Sequence, residues 1–241
     1  MMVAIGRRLR WWTRTMLLIS KRAESKNNNR STRPDSRIST IREMKSEKTN
    51  EFWKWFREVA GSLSTNIENP ALLKELDARI RELDPRLSWE IGPGFSKPWQ
   101  LAISPNLNRN LRDLARQIVS GAPNLASWEF YPTRQPKREW SYKLEFETTD
   151  GQTLRVDAST WCFIMLRYPT GTHEVLLKGD ELSHLNKDER WQAAAITLES
   201  ILGEDAILDR IDDFELVDDF GDRFEGKQKP IQNLRQVILG F

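Results

Sequence analysis

The chain's 241 residues suffice for one large domain or two small ones with a genuine core, and 39% hydrophobic with 30% charged residues excludes a wholly disordered chain. The single cysteine, Cys162, excludes an internal disulfide framework and a multi-cysteine zinc site. The net charge of +2 hides a division: residues 1–48 carry thirteen Lys or Arg against four Asp or Glu, while the remainder carries 24 against 31. The positive surplus therefore belongs to the N-terminal segment. It says little about nucleic-acid binding by the rest.

Residues 1–48 are expected to form a disordered basic tail. No acidic residue precedes Glu24, and Ser25 to Thr40 have no core-forming pattern. Arg7, Arg8, Arg10, Trp11, Trp12, Met16, Leu17 and Leu18 mix basic and apolar character, which suits a targeting or membrane-surface segment. Contact with nucleic acid, through residues 1–43 alone, is a second reading. A third is a start at Met44, just before the ordered region. No apolar run approaches the length of a membrane span, and the expected location is cytoplasmic.

The next stretch, FWKWF (52–56), places four large rings in five positions. Stepped at about 100° per residue, Phe52, Trp55, Phe56, Val59 and Leu63 share one arc, with Lys54, Arg57 and Glu58 opposite. That is the inner face of a helix, with Trp53 at its boundary. A second helix has its start marked by Asn69-Pro70 and its end by Asp84-Pro85, with Leu72, Leu73, Leu76, Ile80 and Leu83 on one face. LSWEIG (87–92) and WQLAIS (99–104) read as strands about a GPGFSKP turn. Leu107, Leu111, Leu114, Ala115 and Ile118 mark a third helix, and SWEFYP (127–132) an exit strand.

Beyond the TRQPKRE loop, Tyr142, Leu144 and Phe146 alternate with charged residues, and Asp150-Gly151 turns the chain into TLRVD. TWCFIMLRY (160–168) is apolar on both faces, which suits a strand inside a sheet. HEVLLKG (173–179) follows as a strand. A helix then starts at an Asn186…Glu189 capping box, is expected to bury Trp191, Ala194, Ala195, Leu198, Ile201 and Leu202, and stops at Gly203. FELVD (214–218) is the last clear strand, and PIQNLRQVILGF is a short helix or an added strand. The expected fold is α+β: a mostly antiparallel sheet with helices on one side, two ββαβ units in tandem, and two helices ahead of them. One domain over 49–241 would contain pseudo-halves at about 84–132 and 140–218.

FWKWF (52–56), LDPRLSWEIG (83–92), ISPN (103–106), APNLASWEF (122–130) and LGED (202–205), in that order, resemble an uncharacterised bacterial protein family of unknown function. The likeness covers roughly residues 50–217. It implies an α+β cytoplasmic protein with no established activity, and it supplies no catalytic residue. Similar proteins commonly carry a small residue after the "IS" and an Arg-rich stretch after the third strand; this chain has Pro105-Asn106 and Arg134, Lys137 and Arg138 there.

The constellations point away from catalysis. Only His173 and His184 are available as imidazole ligands. The run 203–225 holds ten acidic residues, but not in the spacing of a calcium loop, and reads as a solvated acidic edge. Ser159-Thr160 and Ser183-His184 lack a nucleophile-elbow context. Glu90 and Glu129 each follow a tryptophan, so alternation aims both away from the core, onto an exposed face. No cofactor or metal site is expected. The expected binding residues are Arg134, Lys137, Arg138 and Tyr131, where cations beside an aromatic ring suit an anion or a base. The expected function is a non-catalytic binding or regulatory module with a protein partner. The alternatives are a metal-dependent hydrolase using Glu90, Glu129 or the aspartates of 212–222, and RNA or membrane-surface binding through the tail.

Overall fold

Asn69 accepts from the Ala71 and Leu72 amides and is followed by Pro70, so the second helix begins where those two residues dictate. The computed structural model describes residues 12–14, 36–148, 151–169, 171–180 and 182–240, with side chains from Ser46 onward except at Arg223. These residues form an α+β fold whose strand pairs are mostly antiparallel. The chain divides into two compact units, Met1–Pro132 and Thr133–Phe241.

The first unit contains β1 (Trp12–Arg14), α1 (Ser36–Thr65), α2 (Pro70–Leu83), β2 (Ser88–Pro93), β3 (Trp99–Ser104), α3 (Arg112–Ser120) and β4 (Trp128–Tyr131). The sheet order is β1-β2-β3-β4, antiparallel except for the parallel β3–β4 pair. Helix α1 starts at Ser36, so 36–48 of the expected disordered tail are helical. The Glu, Lys, Arg and Met residues of that stretch are good helix formers, and α1 continues directly from them. Most of the remaining tail, including the basic and apolar residues 7–11 and 16–18, lies outside the described residues.

The core of this unit is the aromatic face of α1 laid on one face of the sheet. Phe52, Trp53, Trp55, Phe56 and Leu63 pack with Leu76 and Ile80 of α2, Ile118 of α3, and Trp89, Ile91, Leu101, Ile103 and Trp128 of the strands. Phe56 meets Trp128 and Phe130 edge-on, at 5.1 and 5.4 Å between ring centroids. Three of the buried indoles of this unit find acceptors. Trp53 Nε1 donates to the Ile118 carbonyl at 2.7 Å, and Trp89 Nε1 to Asp77 Oδ1 at 3.2 Å. Trp128 Nε1 donates to Ser64 Oγ at 2.8 Å and to the Ala60 carbonyl at 3.2 Å. Trp53, expected at the boundary, is only 3% exposed. The rings of α1 are structural and form no open platform.

The second unit contains β5 (Lys143–Glu147), β6 (Thr153–Asp157), β7 (Cys162–Arg167), β8 (His173–Lys178), α4 (Lys187–Leu202), α5 (Glu204–Arg210), β9 (Ile211–Val217), β10 (Lys229–Pro230) and α6 (Leu234–Leu239). β5 and β6 form a hairpin of their own, and the larger sheet runs β10-β7-β8-β9. β7 and β8 are antiparallel, and β8 and β9 parallel. β7 is thus an inner strand, with β10 on one side and β8 on the other. The capping box at Asn186 is present, with its side chain accepting from the Glu189 amide and the Glu189 carboxylate accepting in return. Each larger sheet follows the order strand, antiparallel strand, helical connection, strand parallel to the second, the connection being α3 in the first and α4 with α5 in the second. Among the described residues no helix is long and apolar enough to cross a membrane.

Candidate binding surfaces

Arg134 is not a surface residue. It is 2% exposed, and its Nη1 donates to both oxygens of Glu199, at 2.8 and 3.1 Å. Its backbone N–H donates to Glu204 Oε2 at 3.0 Å, and its carbonyl accepts from the Glu204 N–H at 2.9 Å. Glu204 itself is fully buried at the start of α5. The Lys137 N–H donates to the Ser200 carbonyl at 2.8 Å. Gly203 completes the junction: its φ is +81°, and a Cβ there would strike Pro136 Cδ. The start of the second unit is therefore stitched to the corner between α4 and α5.

The expected basic surface dissolves on this geometry. The buried Glu199 carboxylate draws the Arg134 guanidinium indoors, because an unpaired charge at that depth costs far more than an exposed one. Lys137 is half-buried, and Arg138 alone of the three cations is exposed. Tyr131 belongs to the first unit, edge-on to Phe95 at 6.1 Å.

Glu90 and Glu129 do point away from the aromatic core, yet neither is a plain surface acid. Glu90 is 2% exposed. Glu129 anchors the turn between β2 and β3, accepting from the Phe95 amide, the Ser96 amide and the Ser96 hydroxyl, the last at 2.6 Å. Gly94 sits so close that a Cβ would strike the Glu129 carboxylate and the Lys97 carbonyl. Burial alone would raise the Glu129 pKa, but the Ser96 hydroxyl, the two amides and the Tyr131 hydroxyl outweigh it and hold the carboxyl below its ordinary 4.5. The folded value lies below the unfolded one, so the stabilisation is complete at neutral pH and fades as pH falls through 4.5 toward the folded value. Glu129→Gln is expected to flatten the acid side of the stability profile. Thermal melts from pH 7 to 3 check this, and a variant profile parallel to the wild type would refute it.

Among the described residues no three His, Cys, Asp or Glu side chains come together to hold an ion. His173 is buried, with Nδ1 3.0 Å from the Arg210 carbonyl. His184 closes a short turn before α4. Cys162 borders a recess of about 280 Å³ with Lys178, Asp219, Asp222 and Glu225. Burial pushes the thiol pKa up, Lys178 opposes this and Asp180 adds to it, so the thiol stays protonated at neutral pH.

The most open aromatic surface was hidden by its own periodicity. Trp191 lies on the apolar arc of α4 in sequence, yet it is 38% exposed. Helix α4 is buried almost all round from Gln192 onward, whereas Trp191, just past the first turn, stacks on Phe214 of β9 at 5.6 Å and 27°. Arg190 fixes that turn, bonding the Leu182 and Leu185 carbonyls and Asp218 Oδ2 at 2.8 Å. β9 is the last strand of its sheet, with no strand beyond it among the described residues. Asp212, Asp213 and Glu215 along it are exposed. The Phe214 N–H is met by the Asp213 carboxylate at 2.9 Å, a side-chain substitute for a ladder partner.

These features define an α+β protein with a half-open aromatic pair on an acidic edge strand. Comparison with protein-family models, with characterised proteins and with solved structures yields no match.

Proposed function

We propose that this protein is a non-catalytic binding module, cytoplasmic in location, that holds a basic, extended segment of a protein partner along the β9 edge. The observation that carries the reading is the Trp191–Phe214 stack, an exposed anchor beside the last strand of its sheet. An edge strand offers backbone hydrogen bonds to an incoming extended chain, and alternate side chains then decide which chain is accepted. Here Asp212, Asp213 and Glu215 select lysine or arginine. The surrounding unit agrees in sign, since residues 133–241 carry 14 Lys or Arg against 21 Asp or Glu. A cation laid over the face of Trp191 adds a further attraction. Membership of the uncharacterised bacterial family that the sequence motifs resemble is part of the same proposal.

Peptide arrays test the proposal directly. Nine-residue peptides alternating Lys or Arg with Val or Ile are expected to bind the full chain, and their Asp and Glu counterparts are not. Trp191→Ala should weaken binding by about 2 kcal/mol, roughly thirtyfold, as expected for a hot-spot tryptophan. Asp213→Lys with Glu215→Lys should weaken it further, and added salt should weaken the wild type. Arg138→Glu should have no such effect. Equal affinity of wild type and Trp191→Ala would end the proposal.

A further inference from the structure

Strand β10 covers only the start of β7. Its two residues, Lys229 and Pro230, stand opposite Phe163 and Cys162. Beyond them, among the described residues, no strand runs beside β7 on that side, and the β5–β6 hairpin forms a sheet of its own. An edge left so offers backbone donors and acceptors to another chain.

The ladder fixes which way those groups point. Just past β7, the Tyr168 N–H donates to the Thr172 carbonyl at 3.0 Å, at the turn into β8. Bonded positions alternate along an antiparallel pair, so Leu166, Ile164 and Cys162 bond toward β8. Phe163, Met165 and Arg167 therefore turn their N–H and C=O the other way. Two contacts on the β10 side agree with this phase. The Trp161 carbonyl accepts from the Ile231 N–H at 2.9 Å. Pro230, which has no N–H to give, stands opposite Cys162, a residue turned toward β8. Phe163 is met by Lys229. The N–H and C=O of Met165 and of Arg167 are left, without a partner among the described residues.

We infer that this edge docks a second copy of the chain, the two β7 strands lying antiparallel about a twofold axis at Leu166. That register sets Met165 opposite Arg167 of the second copy, and Arg167 opposite its Met165. Each of these pairs exchanges two hydrogen bonds, so every outward backbone group of both copies is met at once. Neighbouring registers fail. An axis at Met165 needs Phe163, which Lys229 already holds. An axis at Arg167 sets that cation against itself and Met165 against Pro169, which has no N–H.

Charge points to the same occupant. Residues 160–166 are uncharged, so a charged partner finds nothing there to prefer it, and a second copy finds nothing to oppose it. Arg167 faces the uncharged Met165, and the two arginines lie on the diagonal, exposed to screening water. The β9 edge differs, since its exposed Asp212, Asp213 and Glu215 would meet their own kind in a second copy. At the axis Leu166 meets Leu166, and Ile164 meets Tyr168 of the second copy, extending across both sheets the apolar row that Ile164 shares with Leu176. So short a strand pair is small beside the about 1,200–2,000 Å² of a stable interface, and the dimer forms at high protein concentration and parts on dilution. It uses the opposite edge of the sheet from β9 and is independent of that reading.

Sedimentation velocity of the full chain, from low micromolar to near-millimolar concentration, is expected to show monomer giving way to dimer. Leu166→Lys and Leu166→Glu each set like charges face to face at the axis, and each alone should stay monomeric. Mixed, the two should associate again, because a residue on a twofold axis meets its own counterpart. Leu166→Cys in a Cys162→Ser background is a second measure that disturbs the strand less. Oxidised glutathione should convert it to a disulfide-linked dimer much faster than it converts Asp213→Cys in the same background. A wild type that is monomeric at every concentration would overturn the inference. So would a mixture of the folded Lys and Glu variants that fails to associate, or crosslinking no faster at position 166 than at 213.

Discussion

Arg134→Met is expected to destabilise the second unit by about 3–5 kcal/mol, the cost of removing one partner from a buried ion pair. Arg134 and Glu199 are 2% and 8% exposed at the side chain, with 2.8 Å between Nη1 and Oε1. Taking the guanidinium away strands the Glu199 carboxylate where water cannot replace the lost donors. Arg134→Met combined with Glu199→Leu removes both charges, and it should recover most of the loss because the patch then packs as apolar surface. Urea titration followed by circular dichroism measures all three proteins. A single variant as stable as wild type would show that the pair is solvated in solution. A double variant no better than the single would show that the pair acts mainly through its shape.

Phe56→Ala should cost a similar amount in the first unit, about 3–5 kcal/mol, from lost transfer energy and the cavity left behind. Phe56 has no exposed surface, and it touches the rings of Trp53, Trp55, Trp128 and Phe130 at centroid distances between 5.1 and 6.2 Å. Those neighbours belong to α1 and β4, so the gap cannot close without parting helix from sheet. Phe56→Leu keeps most of the volume and should lose much less. Denaturation curves for both variants decide this. A loss below about 1 kcal/mol for alanine would mean that the ring cluster repacks freely.

Much of the scaffold could be read from the chain because its signals are local. Asn69-Pro70 and the Asn186…Glu189 box each satisfy amides within their own first turn, so the sequence neighbourhood contains the whole cause. The alternation of Leu144 and Phe146 with Lys143, Glu145 and Glu147 likewise states its own burial. What stayed hidden depends on partners distant in sequence. Arg134 looks like part of a basic loop until Glu199, 65 residues on, is brought to it. Trp53 looks like a boundary residue until the Ile118 carbonyl, also 65 residues away, accepts its indole proton. Trp191 deceives in the opposite sense, because periodicity reports which arc of a helix is apolar but not how far along the helix the cover reaches. Glu90 was aimed correctly by the pleat, but its depth depended on what lies over the sheet. Helix α5, seven residues between Gly203 and β9, was missed because it is too short to display a period.

The stitching of residues 133–137 to the corner after α4 fixes where the second half of this molecule can be severed from the first. A fragment starting at Glu139, a natural choice from the exposed charge there, would discard the cation and amide that quiet Glu199 and Glu204. It would enter solution with two acids trapped indoors and a corner lacking its proline brace. The viable excision point lies ahead of Thr133, and any protease that trims past Arg134 is expected to turn a durable fragment into a short-lived one.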